Sequence, residues 1–395
     1  MILIVGFLGC LVGGFAGIAQ AHELSGFLAV EGRFFTDSPL FTGQEEHNVS
    51  LALQPEYYHQ WQSGLRVTFV PFGRLDSADD QRSHFDIREL NLLYPGESWE
   101  VRFGIGKVFW GATEFVHLVD IVNQTDGVES IDGEDKLGQP MLHLSLPRAW
   151  GIVDFFALPF FRERTFPGQN GRLRSELVVD PEHPLYESGA EENHFDFALR
   201  YSHTLGELDF GLSYFNGTDR QPMLSPGLNR QGAPVLIPYY GQIQQFGLDL
   251  QWVFGGWLWK LESIYRQSEP DHYLAAVGGF EYTFSAIMST VADLGLIGEY
   301  AYDDRNDAAT TPYEKDAMLG LRLAFNDAAS SELLAGIIID LDSSARIVSL
   351  EANRRFGERF KATLEAGFFV DLPENDLAYS LRDDDFVRLD LAFYY

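Results

Sequence analysis

From residue 26 to the last residue, apolar and polar positions alternate in segments of about ten residues, the period of a strand with one face in each of two environments. In "RFKATLEAGFF", Phe360, Ala362, Leu364, Ala366 and Phe368 form one face, and Lys361, Thr363 and Glu365 the other. Eighteen such segments are legible: 26–35, 48–60, 64–74, 84–94, 98–109, 141–147, 151–162, 193–203, 206–215, 241–253, 256–266, 272–284, 292–303, 314–325, 331–341, 344–355, 358–369 and 384–395. Sixteen is the nearest alternative, because 141–147 is short and the connection 285–291 is ambiguous.

Strands that cross a membrane as a barrel run about 9–11 residues. A water-soluble sandwich alternates as well, so the connections have to discriminate. They alternate between short turns ("QSG", "PGE", "PRA", "TL", "GG", "GE") and long loops at 36–47, 75–83, 110–140, 163–192 and 216–240. Short turns on one side and long loops on the other mark an outer-membrane barrel. Trp61, Trp99, Trp150, Trp252, Trp257 and Trp259 all fall at or near the short turns, where an interfacial girdle is expected. The predicted fold is all-β, a transmembrane antiparallel β-barrel of about 18 strands with an inward-folded third extracellular loop.

That loop follows from a break in the rhythm. In "GIGKVFWGATEFVHLVD" (104–120), apolar residues past Gly111 fall three and four apart, which predicts a helical turn. Phe115, Leu118, Val119 and Val122 form one face, expected to pack on a wall left bare by Gly104 and Gly106. Glu114, His117, Asp120 and Gln124 then meet the pore as its constriction. In the preceding strand Trp99, Val101, Phe103 and Ile105 face lipid. The same parity sends Lys107 to the outer rim, toward lipopolysaccharide phosphate.

Composition narrows the class further. The first residues, "MILIVGFLGCLVGGFAGIAQA", are apolar and end in Ala-Gln-Ala, a cleavage pattern. Residues 1–21 therefore read as a signal peptide and 22–395 as the barrel. Cys10, inside that segment, is the single cysteine, so disulfides and cysteine metal sites are excluded from the remainder. After residue 21 no apolar run is long enough for a transmembrane helix, which leaves a closed barrel as the way to span a bilayer. A net charge of −30 argues against nucleic-acid binding. The last residues, "FVRLDLAFYY", are apolar at every second position and end on Tyr395. That pattern resembles the terminal strand read by the bacterial barrel-assembly machinery.

A barrel of sixteen to eighteen strands is too wide for side chains to fill and leaves an aqueous channel. Only four residues precede the first strand in the expected mature chain, which predicts a channel constricted by its own loops rather than by a plug. The polar phase carries Arg33, Arg66, Arg88, Arg102, Arg200, Lys260, Arg322, Lys361 and Arg388, with acids including Glu31, Asp86, Glu100, Asp249, Glu262, Glu299 and Glu365. Opposite charges two apart, such as Glu31/Arg33, Asp86/Arg88, Glu100/Arg102, Lys260/Glu262 and Arg388/Asp390, suit either a selective lining or salt bridges bracing the wall. The surplus acids lie in the long loops.

No nucleophile elbow, P-loop or HExxH motif occurs, and no enzyme activity or cofactor is expected. His117 and Asp120 have helical ligand spacing without a third ligand. The segment 84–120, with Arg88-Glu89, Trp99 to Lys107, Trp110-Gly111 and Asp120 to Asn123, resembles a family of largely uncharacterised outer-membrane porin-like barrels. "LPFFRERTFPG" (158–168) extends that resemblance. It implies a barrel and passive transport of small solutes, with no catalytic residues to carry over. Two alternatives stay open: a non-conducting structural or surface-binding barrel with acidic extracellular loops, and a channel selective for hydrophobic small molecules. The latter is suggested by Phe109, Phe115, Tyr239 and Tyr240. The expected setting is the Gram-negative outer membrane, with lipid and lipopolysaccharide as partners.

Overall fold

The computed structural model describes residues 21–268, 271–311 and 313–395. The expected signal peptide lies outside the described residues except for Ala21, which opens the first strand. Among the described residues twenty-one strands follow one another. They are β1 (Ala21–Phe35), β2 (His47–Gln60), β3 (Arg66–Asp76), β4 (Phe85–Pro95), β5 (Glu100–Gly106), β6 (Gln139–Arg148) and β7 (Gly151–Leu158). Next come β8 (Leu185–Tyr186), β9 (Asp196–Leu205), β10 (Leu208–Thr218), β11 (Met223–Leu228), β12 (Pro234–Tyr240), β13 (Gln242–Phe254) and β14 (Trp257–Ser268). The last are β15 (Asp271–Phe284), β16 (Asp293–Asp303), β17 (Lys315–Ala324), β18 (Glu332–Asp340), β19 (Arg346–Phe356), β20 (Phe360–Val370) and β21 (Phe386–Tyr394).

Eighteen of them pair with their neighbours antiparallel, and β21 pairs back onto β1, so the sheet closes with no free edge. Each of the eighteen segments read from the alternation is one of these strands. The short segment 141–147 is the core of β6, and 285–291 is a turn holding Ile287–Ser289. The remaining three strands, β11, β12 and β8, form a small separate sheet built from two long loops. Three prolines in those strands (Pro226, Pro234 and Pro238) hide the period there.

The two faces of the wall are inverted relative to a water-soluble protein. Leu28, Val30 and Phe34 of β1 point outward and are exposed, while Glu31 and Arg33 between them are buried. Trp99, Trp150, Trp252, Trp257 and Trp259 are 37–57% exposed on the outside, whereas Trp110, at the long loop, is 4% exposed. Trp252 and Trp259 pair directly across β13 and β14, beside the two-residue turn whose Gly255 takes φ +60. The short turn expected at 204–205 falls instead at 206–207, opened by Gly206 at φ +65. Among the described residues no helix is long and apolar enough to cross a membrane.

Strand β5 stops short of the segment 98–109 read from the alternation, and the reason is a side chain. Asn123 accepts the Val108 N–H at 2.8 Å and donates to the carbonyls of Gly106 (2.9 Å) and Leu137 (2.8 Å). It thereby takes the backbone groups that would have continued the ladder past Gly106. The chain leaves the wall there and enters the loop 107–138.

Candidate functional site: a loop strung across the lumen

Loop 107–138 folds into the barrel, but not as the expected helix. Its backbone N–H groups bond to wall carboxylates instead of to the preceding turn. The Glu262 carboxylate, fully buried on β14, accepts the N–H groups of Ala112 (2.7 Å), Thr113 (3.1 Å) and Val119 (3.1 Å) and the Thr113 hydroxyl (2.7 Å). Glu299 on β16 accepts the N–H groups of Glu114 (2.8 Å) and Phe115 (3.2 Å). Ionised acceptors make the stronger class of hydrogen bond, and these outcompete one turn of helix.

The apolar residues that suggested a helix separate onto different walls. Trp110, Val119, Ile121 and Val122 join an internal core with Met141, Phe156 and Phe215. Val119 closes on Gly247 of β13. Phe115 travels farthest. Its ring lies against Gly320 of β17 and Gly336 of β18, where added Cβ atoms would sit 3.2 and 2.7 Å from it. In the strand order β17 is nine places from β5, half of the eighteen. The loop therefore spans the lumen to the opposite wall.

Around this far contact the Glu114 carboxylate meets Arg322 (2.6 Å) and Lys260 (3.3 Å), which also faces Glu281 at 3.8 Å. His117 lies between Glu262 (3.7 Å) and Glu134 (3.9 Å). Burial alone would lower its imidazole; the two carboxylates outweigh that and raise it to about 9. Asp120 pairs with Lys136 at 3.3 Å, so His117 and Asp120 do not converge on a common metal position. Gln124 is fully buried and donates to the Arg162 carbonyl; it meets no open lumen.

The returning half of the loop is held by arginines. Asp126 pairs with Arg88 at 2.7 Å. Glu129 pairs with Arg74 (2.7 Å) and His84 (2.8 Å). Burial opposes ionisation of Glu129, but His84, Arg74 and Arg82 hold its carboxyl well below the usual range. Arg82 donates to the Val128 carbonyl (2.9 Å) and joins Glu31 (2.8 Å) and Asp76 (2.7 Å). A second loop, after β7, braces the first: Arg162 reaches Asp86 at 2.8 Å, and the Thr165 hydroxyl donates to Asp126 at 2.6 Å.

Several charged residues singled out in the sequence find partners across strands rather than two residues along. Arg200 pairs with Asp249 (2.7 Å) and Arg388 with Glu365. Of the expected neighbours, Asp86/Arg88 (3.2 Å) and Glu31/Arg33 (3.8 Å) approach each other. Arg66, Glu100, Arg102 and Lys361 make no ion pair with any described residue. Lys107 corrects the parity reading. β5 has ended at Gly106, and Lys107 turns inward to line an open lumenal chamber of about 290 Å³ with Arg74, Arg88 and Glu129. Of the aromatics, Tyr240 is fully buried against Phe161, and Phe109 is exposed. The sequence reading passed over Arg74, Arg82, Glu129 and Glu281. Arg74 shared the phase of Arg66 and was legible there; Arg82 and Glu129 sit in loops, where no period points.

Among solved structures the chain is similar in outline to a mutant of the Rh. blastica porin, at 13% identity and TM-score 0.46, covering 95% of this chain and 100% of that one. It is also similar to the loop L8 deletion mutant of OmpT, an outer membrane protein of Vibrio cholerae, at 10% identity and TM-score 0.47, covering 96% and 100%. The barrel itself stands on the strand pairing. No curated protein sequence matches. Residues 160–311 match the model of a family described as a protein of unknown function, DUF1302.

Proposed function

We propose that this protein is an outer-membrane channel through which small solutes diffuse passively, with loop 107–138 as its constriction. One observation supports the reading above the others: the loop runs from β5 to the wall nine strands away and is tied at both ends by buried charged hydrogen bonds. A wall of this circumference encloses a lumen that side chains do not fill, and a loop strung across it sets the width. The apolar outer face and the tryptophan girdle suit a lipid setting, and the terminal strand ending on Tyr395 suits delivery by the barrel-assembly machinery.

Planar-bilayer recording of the purified protein tests this. The expected result is discrete conductance steps that grow when residues 113–136 are deleted. An absence of steps would refute the channel. An unchanged step size on deletion would remove the loop from its role.

A further inference from the structure

The chamber of about 290 Å³ lies between the wall and loop 107–138, and its floor has a distinct construction. Ala392, Ala29 and Ala52 stand in one register row across β21, β1 and β2, flanked by Lys361 on β20 and Arg74 on β3. Three short side chains in a row leave the space. Phe27 and Phe72 border the row, so the floor is apolar while the rest of the chamber lining is polar or charged. In the next row Asp390 and Glu31 face each other across the β21–β1 seam.

The charges at the chamber divide into satisfied and free. Arg74, Arg88, Glu31 and Glu129 are engaged with one another or with the loop. Arg388 is engaged by Glu365. Lys107, Asp135 and Asp390 line the same space, and their side chains have no ion pair or hydrogen bond with any described residue. The chamber thus presents one free ammonium and two free carboxylates around an apolar floor. A cavity of about 150 Å³ holds a benzene-sized molecule, so this one accommodates a solute with two charged ends and a short side chain.

We propose that this chamber is a binding subsite for zwitterionic solutes of the amino-acid class. The solute carboxylate is taken by Lys107, its ammonium by Asp390 and Asp135, and its apolar side chain by the alanine row. Charge-assisted bonds at both ends fix the orientation, and the apolar floor supplies the burial. The proposal gives the channel reading its substrate class and rests on it for a role in transport; the binding itself is measured separately.

The test is calorimetric titration of the detergent-solubilised barrel with L-leucine, L-leucinamide and 4-methylpentanoate, alongside bilayer recording. Saturable leucine binding is expected, with the amide and the deaminated acid at least tenfold weaker. Lys107→Ala, Asp390→Asn and Ala52→Leu should each weaken leucine binding at least tenfold, while heat-modifiable migration stays that of the folded barrel. Equal binding of the three probes, or no saturable leucine binding, would overturn the subsite. Conductance steps without leucine binding would leave the channel and remove the subsite. Leucine binding without conductance would do the reverse.

Discussion

Replacing Glu262 by alanine should release the far half of loop 107–138. The carboxylate accepts three backbone N–H groups and one hydroxyl at 2.7–3.1 Å, and it faces the His117 imidazole at 3.7 Å. Hydrogen bonds to an ionised group contribute roughly 1.5–3 kcal/mol each, but bonds sharing one acceptor are not additive. Removing one partner of a buried charged arrangement costs about 3–5 kcal/mol, and we take that range. At about 1.4 kcal/mol per tenfold, the detached loop then gains roughly two to three and a half decades of population. Single-channel recording should show long dwells at a larger conductance in Glu262→Ala. Glu262→Gln, which keeps a neutral acceptor oxygen, should fall between the two. A Glu262→Ala channel with wild-type step size and no added level would refute the idea that this carboxylate holds the loop.

Three further outcomes follow from the same contacts. His117 is raised from 6.5 to about 9, so its contribution is complete below about pH 6.5 and is lost as pH rises through about 9; conductance should increase across that window, and His117→Gln should abolish the transition. Gly336→Ala places a Cβ 2.7 Å from the Phe115 ring, an overpacking that costs about 1–3 kcal/mol; thermal unfolding in detergent should report it, and the double variant with Phe115→Ala should recover most of the loss. Asn123→Ala strands two buried carbonyls and the half-buried Val108 N–H, with roughly 1–3 kcal/mol lost for each buried group left unsatisfied; a midpoint of unfolding unchanged from wild type would contradict its role as the end stop of β5.

The strands were legible because each lies between two solvents, which writes a period of two into every segment. The loop's departure inward was legible as a break in that period, but its conformation was not. Apolar residues at 115, 118, 119 and 122 have helical spacing, yet Phe115 and Val119 fill recesses at glycines of different wall strands, and no periodicity records where those glycines lie. Only part of the salt-bridge pairing was legible, for a related reason. Position along one strand gives the face, while the partner is set by register with the next strand, as Arg388 and Glu365 illustrate. Lys107 shows the limit of parity: it holds only while the ladder does, and Asn123 ends that ladder one residue earlier.

At its far end loop 107–138 is gripped by its main chain. Glu262 and Glu299 take N–H groups of residues 112–115 and 119, and any residue except proline supplies that group. The wall therefore holds this stretch of the loop by groups that nearly every residue carries, in addition to its grip on the Glu114 and Phe115 side chains. Exchanging Glu114 removes its pairs with Arg322 and Lys260 but leaves its main-chain bond to Glu299 available. The course of this stretch is inherited from two carboxylates on the wall, and proline at 112–115 or 119 is the one exchange that removes such a bond outright.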